Sequence, residues 1–305
     1  MDFFNQYDIL IKTLFIYTVF GLSMQVVLRS GVFSLAAAGF WGVSAYVTAI
    51  LVKQFPELAW FVFLAGPLAS LVLSAVLALF LRRLNGLYLG MATIAFSLLV
   101  VAVAQNWTSV TGGALGLYSI PPLMTIPIGL LITIVCIGLV ALFHSRAAGR
   151  FADAMSVDEP LARSQGVDTV RLRLVTFMFS AFLGAISGAM HSLTFGTLGP
   201  NDSGFALIVL GLTIVVIGGS ASWVGAVIGA VVVTLLPQVL TFMDEWRDLV
   251  YGLVVVVMIV FAPTGILGLV EKARAAWRKR GQGRRGPRAA PPSSDQQLTL
   301  EGTAR

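Results

Sequence analysis

Apolar stretches of about twenty residues recur along this chain, and they constrain its fold more than any other feature. They fall at 9–28, 32–52, 59–80, 86–104, 123–143, 174–195, 205–219, 222–240 and 249–270. About twenty helical residues cross the ~30 Å hydrocarbon layer of a bilayer. Only 11% of the residues are charged, against about a quarter in soluble proteins. The pattern predicts an all-α polytopic membrane protein with about nine transmembrane helices, within a range of eight to ten.

Two of these windows are weaker than the others. The window 32–52 is rich in small residues, and 205–219 is short enough to be re-entrant. With nine alternating spans, 17 of the 20 Lys and Arg residues lie on one side, leaving Lys12, Lys53 and Arg247 elsewhere. The positive-inside rule then predicts an inner-membrane protein with its N-terminus outside and its C-terminus in the cytoplasm.

The domain organisation follows from the same distribution. Residues 1–270 form one membrane domain, which contains a polar loop at 144–173, and residues 271–305 form a basic tail. The N-terminus MDFFNQYD has no Lys or Arg and no cleavage site follows the first run, so we expect a retained span. The tail is expected to be disordered beyond about residue 280 and to lie against anionic membrane lipid rather than to bind nucleic acid.

Small residues recur four positions apart within the apolar windows, which is typical of closely packed membrane helices. The predicted packing positions are Ser34, Ala38 and Gly42, then Gly86 and Gly90, Gly184 and Gly188, and Gly225 and Gly229. This pattern predicts a tightly packed bundle and does not by itself indicate a pore.

The apolar windows lack the groups that would drive transport or catalysis. No Asp or Glu occurs between Glu57 and Asp153, whereas proton- or sodium-driven carriers need an ionisable group in the membrane. The sequence has no H-E-x-x-H or G-x-S-x-G motif, and the stretch 111–116 lacks the Lys-Ser/Thr of a phosphate loop. Cys136, His144 and His191 show no metal-site spacing. We therefore expect no enzyme activity, no cofactor and no metal, and an external energy source.

The polar loop contains a predicted short helix. Ser156 and Glu159 fit a capping box; alternatively the helix starts at Pro160, where a missing N–H costs little. It should run to about Gln165 and end at Gly166. Glu159, Ala162 and Gly166 would then share one face, and the spacing alone leaves open whether that face docks on a partner or is simply solvated.

Four stretches of the chain, in order, carry a family resemblance. Glu159-x-x-Ala162-x-x-x-Gly166 resembles the coupling motif of ABC importer permeases, and the others are NWTSVTGGALGL at 106–117, SAFLGAISGAM at 180–190 and VIGGSASWVGAVIGA at 216–230 with LLPQVL at 235–240. The chain resembles branched-chain amino acid ABC permeases of the LivM type over about residues 20–270. It departs from them at Pro160, at the missing second alanine of the motif, and at Gln238.

The resemblance implies an ABC importer permease fold in one of two membrane subunits. The implied partners are a homologous second permease, two cytoplasmic ATPases and a periplasmic or lipid-anchored solute-binding protein. Glu159, Ala162 and Gly166, with Ser156 and Pro160, would couple the chain to the ATPases. The substrate would be a branched-chain or related neutral amino acid, with urea or short amides as alternatives; a self-sufficient carrier or channel and a non-transporting scaffold are the competing functions.

The predicted substrate pathway is lined by hydroxyl groups and by glycine backbone, because a neutral or zwitterionic solute needs no buried charge. The predicted lining residues are Thr93, Ser97, Thr111, Gly112, Gly113, Ser187, Thr213, Gly218 and Gly219.

Overall fold

A computed structural model describes residues 2–240 and, beyond them, residues 250, 252–253, 255–256, 265–266 and 268. Every regular element in this part of the chain is helical, and Leu117 and Leu198 form an isolated antiparallel bridge. The α-helices are α1 Asp2–Arg29, α2 Ala37–Gln54, α3 Ala59–Leu81, α4 Gly86–Asn106, α5 Thr108–Thr111, α6 Ile126–Ser145, α7 Ala147–Val157, α8 Glu159–Ser164, α9 Thr169–Phe195, α10 Phe205–Gly218 and α11 Trp223–Val239.

Polar side chains mark the starts of several helices. The Asp168 carboxylate accepts a hydrogen bond from the Arg171 N–H at 3.0 Å and caps α9. The Ser222 hydroxyl accepts one from the Val224 N–H at 3.3 Å and caps α11. Such caps satisfy backbone donors that have no partner inside the first helical turn.

Helices occupy eight of the nine predicted apolar windows, although not all of them are long and apolar enough to cross a bilayer alone. Among the described residues five helices meet that test, namely α1, α3, α4, α6 and α9, and a sixth span results if the bent pair α10–α11 counts as one. The helix α2 begins only at Ala37, five residues into the window 32–52, and is largely buried. The window 249–270 and the tail 271–305 lie outside the described residues, apart from the few positions named above. The count of nine remains a prediction.

The window 205–219 and its successor form a broken pair rather than two straight spans. The axes of α10 and α11 meet at 117° across a short break. Gly219 lies in this break with φ +100°, a backbone conformation that favours glycine. A side chain on Gly218 would overlap the Gly225 carbonyl, and one on Gly229 would overlap the Ile214 carbonyl. The two helices therefore pack backbone to backbone near the bend.

The helix α9 lies at the centre of the bundle, packed against α1, α2 and α3. Its Gly184 and Gly188 face Ala37 and Trp41 of α2, so the two backbones approach closely. On α2, Gly42 lies against Ser203 in the turn that precedes α10. Ala38 is buried in the first turn of α2, whereas Ser34, also buried, precedes the helix and does not share its face as predicted. Gly86 has no neighbour within 4 Å of a built Cβ, whereas Gly90 faces the Phe33 ring.

The two ends of the bundle differ in character. At one end, Arg29, the loop that follows α3 and the segment 144–173 are joined by polar contacts. At the opposite end, Lys53 donates to the Tyr118 carbonyl at 2.9 Å, and Leu117 pairs with Leu198. We call the first of these the arginine end.

Candidate functional site

The polar segment 144–173 folds into two short helices at the arginine end. The first, α7, packs on α1, α6 and α9, and its Ala152 and Met155 belong to one apolar cluster with Val27, Val32 and Leu172. The sequence analysis predicted only the second helix. The small and apolar residues spaced along AAGRFADAMSV are the signal that identifies α7.

The second helix, α8, is capped by a residue that the sequence analysis did not select. The Asp158 carboxylate accepts a hydrogen bond from the Leu161 N–H at 3.0 Å. The Ser156 hydroxyl instead donates to the Asp153 carbonyl at 2.8 Å within α7. The predicted Ser156–Glu159 capping box is therefore wrong, because α7 continues to Val157 and leaves Asp158 as the first residue free to cap.

The two ends of α8 explain its proline and its glycine. Pro160 is the second helical residue, where the backbone N–H has no helical partner in any case, so the helix forms without distortion there. At the other end Val167 N–H donates to the Ala162 carbonyl and Gly166 N–H to the Arg163 carbonyl, with Gly166 at φ +83°. This pattern is a Schellman motif. The predicted helix end at Gln165 and Gly166 is confirmed.

Glu159 fastens α8 to α9. Its two carboxylate oxygens each accept a charged hydrogen bond at 2.9 Å, one from Arg163 and one from Arg173. Arg173, whose side chain is 18% exposed, also donates to Asn85 and to the Leu84 carbonyl after α3. One carboxylate therefore joins α8, α9 and the loop between α3 and α4.

The inner and outer faces of α8 carry different residues. Ala162 is 2% exposed and packs inside the protein. Leu161 is 55% exposed, and Pro160 and Ser164 are also on the surface. Glu159 and Ala162 thus lie toward the bundle, and the exposed residues are Pro160, Leu161, Arg163 and Ser164. The predicted role of α8 in coupling stays a prediction.

The last turns of α1 join this segment to the break between α10 and α11. Arg29 donates two parallel hydrogen bonds to Asp153, at 2.8 and 2.9 Å, which is the strong geometry for such a pair. One turn earlier Gln25, fully buried, donates to the Ser220 carbonyl at 2.8 Å. A cavity of about 480 Å³ lies between α7 and the break. Sequence reasoning missed Gln25, a lone amide within an apolar run.

Two predicted pathway residues on α4 form hydrogen bonds with the backbone at the start of α2. Thr93 Oγ1 accepts from the Leu35 N–H at 3.0 Å, and Ser97 Oγ accepts from the Gly39 N–H at 3.1 Å. Both hydroxyls are fully buried and also donate to main-chain carbonyls. They satisfy the backbone where the chain turns from 30–36 into α2 inside the bundle.

The remaining predicted pathway hydroxyls are also bonded to main chain. Thr111 donates to the Ala104 or Trp107 carbonyl, Ser187 donates to Ile16 of α1 at 2.9 Å, and Thr213 donates to Val209 within α10. Gly112 and Gly113 form the tight loop after α5, and Gly218 and Gly219 form the break. The structure does not bring the predicted lining residues together at one place.

A different set of buried polar atoms is grouped on α2 and α9. Trp41 Nε1, Ser44 Oγ, Tyr46 Oη, Thr48 Oγ1 and His191 Nδ1 have no hydrogen-bond partner within the described part of the chain. Trp41, Ser44 and Thr48 follow the i, i+3, i+7 spacing of one helix face, and the Trp41 and His191 rings lie 4.7 Å apart. Buried polar groups normally have partners. Ser44 and Thr48 lie against Gly66 of α3, whereas Trp41 and His191 lie where α2 meets α9.

Within the described residues no group of three or more His, Cys, Asp and Glu side chains could hold a metal ion.

Comparison with known proteins identifies the class of this architecture. A family model described as the permease component of branched-chain amino acid transport systems matches residues 7–261. The high-affinity branched-chain amino acid permease LivM of Salmonella typhimurium is 27% identical over 294 residues, covering 84% of this chain and 68% of LivM.

Two further relatives match shorter parts. The autoinducer 2 import permease LsrC of Yersinia enterocolitica is 29% identical over 187 residues, covering 58% of this chain and 49% of LsrC. The branched-chain amino acid permease BraD of Pseudomonas aeruginosa is 31% identical over 134 residues, covering 43% of each chain. No solved structure matches the chain.

Proposed function

The chain belongs to the permease-component family of branched-chain amino acid transport systems, and from this premise we propose that it is one membrane subunit of an ATP-driven importer. A homologous second permease would complete the membrane part, two cytoplasmic ATPases would supply the energy, and a solute-binding protein would deliver the substrate on the other side. The proposed orientation places the arginine end in the cytoplasm, with the N-terminus outside and the C-terminus inside.

The observation that carries this proposal is the exposed face of α8. Leu161 projects from a short helix that is capped at both ends and held to α9 through Glu159. The exposed pair Pro160 and Leu161, held on this fixed helix, is suited to bind an apolar groove of another protein. An importer with no carboxylate between Glu57 and Asp153 also needs an external energy source, since it lacks an intramembrane proton site there.

The contacts of the polar segment suggest how a push on α8 would reach the membrane. Movement of α8 would pull on Arg173 in α9 through Glu159, and movement of α7 would pull on Arg29 in α1 through Asp153. Because Gln25 lies one turn from Arg29 and binds Ser220, the same motion would reach the break between α10 and α11. Nucleotide-driven closure of the ATPases would thereby shift rigid helices between two states.

We propose a branched-chain or related neutral amino acid as the substrate. Trp41 Nε1 and His191 Nδ1 are buried polar atoms among apolar groups where α2 meets α9. An opening between the two helices would let a zwitterion bind these groups by hydrogen bonds and let its aliphatic side chain contact their apolar neighbours, without a buried charge. Urea and short amides lack the aliphatic side chain that these apolar groups would contact, and other amino acids would need different contacts to their side chains.

The variant Leu161→Glu tests the coupling role of α8. Because Leu161 is exposed, the charge should leave folding intact but prevent docking of an apolar groove, so co-purification of the ATPases and ATP-dependent uptake of leucine should fall at least tenfold, as for loss of a buried anchor. Uptake is measured in proteoliposomes that contain the assembled importer.

The matched control is Ser145→Glu, which adds the same charge to an exposed position at the arginine end. It should retain normal uptake. Normal uptake by the Leu161→Glu variant would refute coupling through α8, and uptake by the chain alone would refute the importer assignment.

A further inference from the structure

A pocket at the arginine end has a polar mouth and an apolar floor. It has a volume of about 230 Å³ and lies among the end of α3, the start of α4, the last turn of α8 and the first turns of α9. Arg82, Arg83, Arg163 and Arg173 line it, and none of its lining residues is acidic. We call it the four-arginine pocket. The importer mechanism above uses Arg173 through its pair with Glu159, but it assigns no role to Arg82, Arg83 or the space between them.

The charge of the four-arginine pocket is only partly balanced. Glu159 lies behind it and pairs with Arg163 and Arg173. Arg82 and Arg83 have no carboxylate partner within the described residues, and the buried Nε of Arg173 has no acceptor there. A buried guanidinium N–H without an acceptor is costly, so an acceptor on a bound ligand would stabilise this position. The pocket therefore carries donors for an anionic group.

The floor of the pocket is apolar and lies one helical turn from the arginines. Ala78 precedes Arg82 by four residues on α3, and Leu174 and Phe177 follow Arg173 on α9. One turn of helix is about 5.4 Å. A ligand that fills the pocket must therefore present an anion to the mouth and hydrocarbon to the floor, which a free phosphate does not do.

The surroundings of the pocket match the surface of a membrane. Along α3 the side chains of Val72, Val76 and Phe80 are strongly exposed, as is Leu87 in the first turn of α4. Tyr88, also exposed, lies close in sequence to Arg82 and Arg83. Exposed apolar rows face lipid, and aromatic and basic residues concentrate where hydrocarbon meets the headgroups. The mouth thus lies at headgroup level.

We propose that the four-arginine pocket binds an acidic phospholipid, with its phosphate on Arg82, Arg83 and Arg173 and the start of an acyl chain on Ala78, Leu174 and Phe177. Basic pockets between membrane helices are suited to such headgroups. Because Arg173 also holds Glu159, the bound lipid stabilises the region that supports α8. The inference does not depend on which solute is transported.

The test is native mass spectrometry of the full-length chain in detergent, titrated with phosphatidylglycerol or with neutral phosphatidylcholine. The wild type should bind phosphatidylglycerol more tightly than phosphatidylcholine. The double variant Arg82→Gln/Arg83→Gln should weaken that binding about 30-fold, since each basic residue near a headgroup contributes about 1 kcal/mol. Arg146→Gln/Arg150→Gln, which removes two exposed charges at the same end outside the pocket, should leave it unchanged.

A second variant separates lipid from free anion. Leu174→Phe fills part of the floor, so it should weaken phosphatidylglycerol binding and leave binding of inorganic phosphate unaltered. Full displacement of phosphatidylglycerol by inorganic phosphate would assign the pocket to a free anion and overturn the proposal. Unchanged phosphatidylglycerol binding in both pocket variants would also overturn it. If the Arg82→Gln/Arg83→Gln variant of the assembled importer lost its ATPases while still binding phosphatidylglycerol, the pocket would be a protein-docking surface instead.

Discussion

At the scale of single residues, charge pairs and glycines account for how the helices are held together. Glu159 binds Arg163 and Arg173, and Gly188 allows the backbone of α9 to approach Trp41 on α2. Each contact joins two elements through one residue. Their effects can therefore be measured by conservative substitutions with matched controls.

The variant Glu159→Gln should loosen α8 from α9. Loss of the carboxylate charge leaves the largely buried Arg173 without its ion pair. The free energy of unfolding should fall by about 1–2 kcal/mol, between the values for exposed and buried pairs. ATP-dependent uptake should fall with it, measured in proteoliposomes. Arg171→Gln, which removes a pair whose arginine is 87% exposed, should leave stability and uptake near wild type; equal losses in both variants would argue against a specific role for Glu159.

The variant Gly188→Ala should destabilise the bundle, because the added methyl group overlaps the Trp41 carbonyl. Overpacking of this kind costs about 1–3 kcal/mol, observable as earlier thermal unfolding of the detergent-solubilised chain. Gly138→Ala is the control, since a Cβ there meets nothing within 4 Å. It should be neutral or slightly stabilising, because glycine is a poor helix former. Similar unfolding temperatures for both variants would show that α2 and α9 can separate without cost.

At the scale of elements, the helix windows were predictable, including the break between 219 and 222, whereas the angle at that break and the entry into α2 were not. Twenty-residue apolar runs identify helices such as α4 and α6, because hydrocarbon requires every backbone group to be bonded within its own segment. The 117° bend after Gly218 and the entry into α2 depend on long-range bonds from Gln25, Thr93 and Ser97. Such partners are far apart in sequence, so spacing alone does not reveal them.

In the candidate site, too, features set by local sequence were predictable and features set by packing were not. The end of α8 at Gly166 was predictable from a local preference for glycine. Its start was not, because α7 extends to Val157 and transfers the cap from Ser156 to Asp158. The inward position of Ala162 is likewise set by packing on the rest of the protein, which no three- or seven-residue spacing specifies.

The variant Gln25→Met tests the link from α1 to the broken helix pair. Methionine keeps the shape and removes both the bond to Ser220 and the unpaired Oε1, so unfolding should be unchanged or occur at higher temperature. Uptake should nevertheless fall, because the break loses its tether to α1. The exposed Gln54→Met serves as control and should affect neither quantity. Full uptake by the Gln25→Met variant would exclude this tether from the transport cycle.

At the scale of the whole molecule, charge is distributed between the two ends of the bundle. Arg29, the four-arginine pocket and the segment 144–173 lie at the arginine end, while Lys53 lies at the opposite end beside Tyr118. Positive charge is retained on the cytoplasmic side during insertion. The distribution predicts that α8 and the four-arginine pocket face the cytoplasm, where ATPases can reach α8.

Single cysteines test this orientation in a Cys136→Ala background, which removes the buried native thiol. Ser145→Cys marks the arginine end, and Glu57→Cys marks the exposed turn between α2 and α3 at the other end. In intact spheroplasts a membrane-impermeant maleimide should label the Glu57→Cys variant and leave the Ser145→Cys variant unlabelled until the membrane is permeabilised. The reverse pattern would place α8 outside the cell, where it could not contact a cytoplasmic ATPase. That result would refute the proposed coupling through α8.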